Sequence, residues 1–279
     1  MKRLLAIELQ KIWKNRASKI LTLTYFILLT FLSLIASIKF DIGPIHVRLA
    51  DQGIFNFPFI WHFNTYIAAL LKIFLAVVIV SMMANEYSYG TLKQNLIDGM
   101  SKKEFVASKF LVIVLFAAIS TLFVFVVSLI LGLVFSSFNE AGIIFSQMEY
   151  LFAYFLKLVG FFSFCLFLGV LIKRSAFALG FLFLWWFLCE NVSYGLIKYN
   201  IFNREAIFDT IYDFFPLRSM SNLIAEPFTK LNAVRTIGKQ IGVDDIKDYS
   251  VHFSTVVIVL AWIVIFNFLS YKIIKKRDL

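Results

Sequence analysis

Three ionisable residues lie inside apolar runs that are long enough to cross a bilayer. Lys72, Lys157 and Glu190 sit about two helical turns from the ends of their runs. A charged side chain in hydrocarbon is costly, so such residues usually pair with one another or face a polar cavity. We therefore predict that they line a translocation pathway or gate, with Glu190 paired to one of the lysines. The alternative is that both lysines extend outward to the membrane surface, with Glu190 in a locally unwound helix end.

The other reactive residue types do not form a site. His46, His62 and His252 are not spaced at helical intervals and have no acidic cluster beside them, and Cys165 and Cys189 lie in apolar runs as small packing residues. Nucleophile and metalloprotease motifs are absent from the sequence. We therefore expect no catalytic residue, no metal site and no cofactor bound by this chain.

A polar segment between two apolar runs carries a series of helix start and stop signals. It spans residues 85–109 and reads NEYSYGTLKQNLIDGMSKKEFVASK. Gly90 and Thr91 open a short amphipathic helix, Gly99 falls where a glycine cap would end it, and a capping box from Ser101 to Glu104 starts the next helix. The helix would present Leu92, Leu96 and Ile97, with Lys93, Lys102 and Lys103 around them.

Two turns of helix are too short to be stable alone in water. Such a helix needs a docking partner or the bilayer surface, and its narrow apolar stripe favours insertion into a groove on another protein. An ordinary interfacial loop with good caps is the alternative interpretation.

The composition identifies the class of protein that holds these residues. The chain is 61% hydrophobic with a mean hydropathy of +0.84, far above soluble domains, so we predict an all-α integral membrane protein. The net charge of +10 is explained by membrane topology, and no nucleic acid partner is expected. A high content of Phe is more typical of lipid-facing and packing positions than of a path for hydrophobic cargo.

Six segments reach the length of about 20 residues that a spanning helix requires. They are Ile20–Ile38, Thr65–Ala84, Phe110–Phe135, Leu151–Ile172, Ala176–Ile197 and Val251–Tyr271. Most Lys and Arg residues lie at the termini, in the 85–109 segment and at 173–174, whereas the short loops 39–64 and 136–150 hold only Lys39 and Arg48. This bias predicts a single transmembrane domain with both termini in the cytoplasm.

Two further segments have helical character outside the spans. Residues 1–19 place Leu5, Leu9, Ile12 and Trp13 at helical spacing, which is typical of an amphipathic helix in the cytoplasmic interface, although a frayed basic tail would also fit. Residues 198–250 form a long extracytoplasmic loop, predicted to be partly helical until Pro216 stops the turn. The loop would lie on the outer surface or re-enter between spans.

The order of these features resembles a known family. Glu86, Gly90-Thr91-Leu92, Leu96, a turn at 99–101, Lys102-Lys103 and Lys109 are together similar to the motif of ABC-2 permeases, the membrane subunits of type-2 ABC transporters. The resemblance extends to the N-terminal helix, the six spans and the large outer loop. The family commonly has Pro and Arg in the turn, where this chain has Gly99-Met100-Ser101-Lys102.

The resemblance implies that residues 85–109 contain a coupling helix that docks on a separate ABC ATPase subunit. ATP and Mg would bind that partner, since the sequence contains no P-loop motif. A second permease copy or a related permease would complete the pathway, surrounded by the lipids of a bacterial inner membrane. Export is the expected direction, while the cargo stays open.

A function of another class fits the same composition. An autonomous ion-coupled carrier or an intramembrane lipid-processing enzyme would also be apolar and polytopic. It would require a dense set of polar groups at mid-depth in the membrane, and the spans contain few.

Overall fold

The computed structural model describes residues 2–35, 39–42, 45–48, 53–138, 140–192, 194–195, 211–231 and 248–277. The helices are α1 (Lys2–Lys14), α2 (Arg16–Ile35), α3 (Phe59–Leu70), α4 (Lys72–Ser88), α5 (Thr91–Ile97), α6 (Lys102–Phe135), α7 (Ala141–Ile144), α8 (Glu149–Ile172), α9 (Ser175–Leu184), a π segment (Trp185–Val192), α10 (Pro216–Asn222), a 3₁₀ turn (Phe228–Lys230) and α11 (Phe253–Lys276). A short antiparallel hairpin, which the sequence analysis did not predict, pairs β1 (Lys39–Ile42) with β2 (Ile45–Arg48).

Five helical segments are long and apolar enough to cross a membrane, and the bent pair α3–α4 makes a sixth if it counts as one span. The five are Arg16–Leu34, Lys102–Phe135, Ala141–Ile172, Ser175–Val192 and Phe253–Lys276. This confirms the prediction of a helical membrane protein. Helices are expected in a bilayer, because each helix satisfies its own backbone hydrogen bonds inside the hydrocarbon.

The second span is broken, which corrects the prediction of one continuous helix over Thr65–Ala84. Helices α3 and α4 meet at an angle of 45° at Leu71. Leu71 N donates to Ala68 O, and Phe74 N donates to Leu71 O, each at 3.1 Å. These three-residue hydrogen bonds tighten the backbone and turn the axis. Lys72 therefore begins a new helix instead of lying inside one.

The fifth span changes its winding partway. Helix α9 continues directly into the π segment, which holds Glu190. The predicted end of this span at Ile197 lies outside the described residues, as do residues 36–38 at the predicted end of the first span.

The segment before the last span is partly helical, and a turn over residues 213–215 precedes Pro216, where the sequence predicted that a helix would stop. Pro216 also occupies the first position of a new helix, α10, where its missing N–H costs nothing. The helix before this turn was predicted from the helical spacing of Ile207 and Ile211, and Ile207 lies outside the described residues.

Helix α8 is the centre of the bundle. It contacts α3, α4, α6, α9, α10 and α11, and its buried residues face all sides. Three hydroxyls, those of Tyr25, Ser120 and Tyr154, hydrogen-bond one another between α2, α6 and α8. Such polar contacts help to fix the register of helices in an apolar core.

Helices α1 and α5 and the C-terminal end of α11 meet at one end of the bundle, which we call the basal end. Lys102 Nζ donates to Lys275 O and Arg277 O at 3.3 and 2.9 Å. Arg277 in turn donates to Tyr87 Oη at 2.6 Å and Val170 O at 2.8 Å. The first and last described helices, α1 and α11, therefore share the basal end. The opposite end is called the distal end. The hairpin, which connects α2 to α3, and α10, which precedes α11, belong to the segments that join the distal helix ends.

Candidate functional site

Helix α5 is held between two glycines that adopt left-handed backbone conformations. Gly90 has φ of 69° at the start of the helix, and Gly99 has φ of 95° just after its end. At the end, Met100 N donates to Asn95 O at 3.0 Å and Gly99 N to Leu96 O at 3.2 Å. This pair of hydrogen bonds is the Schellman motif, whose left-handed residue is glycine because glycine adopts positive φ with little strain.

The next helix begins with the capping box that the sequence predicted. Ser101 Oγ accepts from Glu104 N at 3.2 Å, and the Glu104 carboxylate accepts from Ser101 N at 3.0 Å. The stop of α5 and the start of α6 are thus separated by a turn of a few residues. Because both ends are capped, the turn orients α5 relative to the long helix α6.

The three apolar residues of α5 do not share one exposed face. Leu92 is 2% exposed and packs in the chain's own core, and Leu96 is partly buried against the same core. Ile97 is 74% exposed. The expectation that Leu92 forms part of a docking knob is therefore wrong, because burying it attaches α5 to its own bundle. Lys93, Lys103 and Ile97 remain on the surface.

A buried cluster of four charged residues joins three helices beside α5. Lys109 Nζ lies 2.5 Å from Glu8 Oε2 and 2.5 Å from Glu86 Oε1. Lys11 Nζ lies 2.9 Å from Glu86 Oε1 and 3.3 Å from Glu8 Oε1. The side chains of Lys109, Glu8 and Glu86 are 1%, 4% and 3% exposed, and that of Lys11 is 37% exposed. We call these four residues the basal cluster.

The basal cluster contains two carboxylates and two ammonium groups. Its formal charge cancels, which offsets much of the desolvation cost of burial in a low-dielectric site. Burial lowers the pKa of Lys11, but contacts with Glu86 and Glu8 outweigh that effect, so the pKa is raised above its ordinary value. Lys11 therefore stays protonated and keeps the cluster neutral at physiological pH.

The basal cluster also holds α5. Thr91 Oγ1 donates to Glu86 Oε2 at 2.6 Å, and Asn95 Nδ2 approaches the same oxygen at 3.5 Å. Glu86 thus accepts hydrogen bonds from α1, α5 and α6 while it belongs to α4. A displacement of α5 would be transmitted through this carboxylate to three helices. A cavity of about 370 Å³ opens beside the cluster, lined by Lys14, Ser18 and Tyr89 among others.

Glu190 does not pair with either intramembrane lysine, which corrects that prediction. Its Oε1 accepts from Trp185 Nε1 at 3.0 Å and from Leu217 N at 2.9 Å. Lys157 Nζ donates to Ser221 O at 3.4 Å. Lys72 Nζ lies 4.5 Å from the centroid of the Phe161 ring. Each charge therefore has a separate environment, although all three surround α10.

Sequence reasoning identified half of the basal cluster's anchoring residues. Glu86 was predicted, and Lys109 was included in the family motif, but neither Glu8 nor Lys11 was singled out. A signal was present, because Glu8 lies three residues after Leu5 and four before Ile12, inside the apolar stripe of α1. A carboxylate on a buried stripe requires a buried cation, and Lys109 is one.

His62 has a structural environment at the distal end. Its ring is buried, stacks on Tyr150 at 4.2 Å, and donates from Nε2 to Ala225 O at 2.8 Å. His252 lies 3.4 Å from Asp248 on the surface. The side chain of His46 is outside the described part of the protein. The two described histidines therefore contact different partners, and no group of three or more metal-ligating side chains forms among the described residues.

Comparison with known proteins gives a family. The model of a family described as "Protein of unknown function (DUF2705)" matches residues 27–279, which is most of the chain. The match leaves out α1 and therefore Glu8 and Lys11. No curated protein matches the chain.

Proposed function

The chain belongs to the family described as Protein of unknown function (DUF2705), and we propose that it is the membrane-spanning permease subunit of an ATP-driven ABC-2 transporter. It works as an exporter in a bacterial inner membrane, with both termini in the cytoplasm. It has no ATPase site of its own. A separate ABC ATPase binds ATP and Mg and docks on residues 85–109 at the basal end.

One observation carries this proposal. A short, doubly capped helix, α5, is exposed on one side and is joined on the other side to the buried basal cluster. Surface loops without a mechanical role need no such connection, because polar loops are satisfied by water. The resemblance of residues 86–109 to the ABC-2 motif supports the same interpretation.

The proposed mechanism is a lever. Closure of the ATPase subunits pushes α5, which presents Lys93 and Ile97 to the partner. Gly99 lies in the adjoining turn, and Lys102 and Lys103 at the start of α6 complete the contact surface. Leu92 and Leu96 attach the helix to the bundle, and Thr91 transmits the movement to Glu86. Helices α1, α4 and α6 then move as one body, which alternates access in a dimer of permease subunits.

The experiment combines Ile97→Asp with Lys93→Glu in the full-length chain, purified from its host in mild detergent. Both side chains are exposed, so the variant chain should fold normally. The two new carboxylates repel an ATPase surface that is complementary to an apolar and basic patch. We expect recovery of an ATPase subunit carrying Walker motifs to fall at least about tenfold. ATP hydrolysis by the purified complex falls in parallel.

Phe138→Asp is the matched control, because Phe138 is also an exposed apolar residue and lies just beyond the distal end of α6. It leaves ATPase recovery unchanged under our proposal. Equal recovery with the α5 double variant would contradict the coupling role. Transport by the purified chain alone under a proton gradient would instead favour the ion-coupled carrier.

A further inference from the structure

A membrane-facing cavity near the break of the second span contains a lysine that has no acidic partner among the described residues. The cavity has a volume of about 400 Å³, within the range of about 300–1,000 Å³ typical of small-molecule sites. It lies between α4, α9, the π segment, α8 and α10. Its walls are largely apolar and aromatic, and include Phe161, Leu179 and Trp186.

Lys72 is the charged residue among the described lining residues, and none of these is acidic. Its ammonium faces the ring of Phe161 at 4.5 Å. A cation–π contact of this kind offsets only a small part of the free energy that removing an ammonium from water costs. The site therefore has unbalanced positive charge.

A second lysine lies behind the cavity wall, also without a carboxylate partner among the described residues. Lys157 precedes Phe161 by one helical turn on α8 and is 4% exposed. Its ammonium donates at 3.4 Å to the carbonyl of Ser221, which itself lines the cavity. The carboxylate of Glu190 is already bound to Trp185 and Leu217. Charge complementarity thus calls for an anion from outside the described chain.

The position of Lys72 indicates where such an anion would come from. At 1.5 Å per residue, the 17 residues of α4 place Lys72 about 25 Å from the basal end of that helix, close to the roughly 30 Å thickness of a bilayer core. The rim is open to lipid, since Leu70 and Phe183 are each 59% exposed. A phosphate of the distal leaflet would lie at the depth of Lys72, with acyl chains level with the cavity.

We propose that this cavity binds an anionic phospholipid, with its phosphate on Lys72 and one acyl chain between α4 and α9. Lysine is a common phosphate ligand, and an acyl chain matches the apolar walls. This site is independent of coupling to an ATPase.

The test uses full-length protein in phosphatidylcholine nanodiscs that contain a small fraction of a photoreactive lipid. The probes are phosphatidylglycerol, phosphatidylcholine and a free fatty acid, each with a diazirine on the acyl chain. Mass spectrometry then quantifies labelling of the peptides that contain Leu179 and Trp186. We expect labelling by phosphatidylglycerol that unlabelled phosphatidylglycerol displaces and unlabelled phosphatidylcholine does not.

Substitutions identify the anion-binding group. Lys72→Gln should lower phosphatidylglycerol labelling about tenfold, and Lys72→Arg should restore it, because the charge returns. Lys19→Gln, which removes an exposed lysine elsewhere, should have no effect. Equal labelling by phosphatidylcholine, preference for the fatty acid, or full labelling of Lys72→Gln would overturn the proposal. If Lys72→Gln fails to fold, the competition with the unmodified protein still decides.

Discussion

Lys109 and Lys72 show two ways in which an apolar bundle accommodates an ammonium group. Lys109 contacts two carboxylates at 2.5 Å and is almost completely buried, so its charge is balanced within the chain. Lys72 has an aromatic ring as its described partner and lies beside an open cavity. The first arrangement suits a rigid joint between helices, and the second suits a site that an external anion can enter.

At the residue scale, Lys109→Met tests whether the basal cluster stabilises the bundle. The substitution removes the buried one of the two cations that Glu8 and Glu86 share, and breaking a buried ion pair in this way typically costs about 3–5 kcal/mol. We expect the melting temperature of the purified protein, followed by intrinsic fluorescence, to fall by roughly 10 °C.

Lys11→Met is the matched control for that experiment. Lys11 belongs to the same cluster, but its side chain is 37% exposed. When Lys11 is removed, water can solvate the carboxylates in its place, so less stabilising free energy is lost. Its melting temperature should therefore fall by much less. Equal shifts in the two variants would show that burial of the Lys109 contacts is not what stabilises this end of the molecule.

The residues of this cluster show how far sequence reasoning reaches. The capping box at Ser101 was predictable, because helix ends have local signals within a few residues, whereas Glu86 was singled out by the resemblance to the ABC-2 motif. Glu8 was missed because its partner Lys109 is 101 positions away in sequence. Leu92 was assigned to the wrong surface, since a helical wheel identifies an apolar face but not whether the chain itself or a partner covers it.

At the scale of elements, the break at Leu71 also lay beyond sequence reasoning. Kinks are usually predictable from Pro or Gly, and residues 66–76 contain neither. Both α3 and α4 pack against α8 on either side of the tightened turn at Leu71, and hydropathy does not report such packing. The two glycines around α5 were predictable, because positive φ angles favour that residue type.

Gly99→Ala tests the cap that orients α5. A Cβ at Gly99 meets no atom within 4 Å, so its cost is purely that of the φ angle of 95°. A left-handed conformation costs a non-glycine residue about 1–2 kcal/mol, which corresponds to about a 5–30-fold change in an opening equilibrium. We expect amide hydrogen exchange over residues 91–101 to accelerate by that factor.

Gly180→Ala provides the comparison for Gly99→Ala. Gly180 also has open space around an added Cβ, but it lies within α9 and has no positive φ. Alanine is about 1 kcal/mol more favourable than glycine inside a helix, so amide hydrogen exchange over α9 should stay the same or slow down. Unchanged exchange over 91–101 in Gly99→Ala would mean that the glycine cap does not hold α5 in place.

At the scale of the whole molecule, hydropathy predicted a helical membrane protein, and the structure has five candidate spans, or six if α3–α4 is one, because the bilayer imposes helices of a minimum length. The packing order could not be read in the same way. Helix α8 is central and the described parts of α2 and α9 are peripheral, although all three are strongly apolar. In lipid, apolar composition does not separate core from surface, so close packing and scattered polar contacts determine the arrangement.

At this scale, the proposed topology is tested most directly by labelling exposed cysteines placed near the two opposite ends of α6. In a variant with Cys165 and Cys189 replaced by Ala, we expect Lys93→Cys to react with a membrane-impermeant maleimide only in inverted membrane vesicles. Phe138→Cys should react in intact cells, because α6 separates the two exposed positions by 34 helical residues, about 51 Å. Labelling of both positions from the same side would exclude a crossing by α6.

Labelling in the reverse orientation would place the basal cluster and α5 outside the cell, away from ATP. The proposal of an ATPase partner would then fail together with the proposed topology.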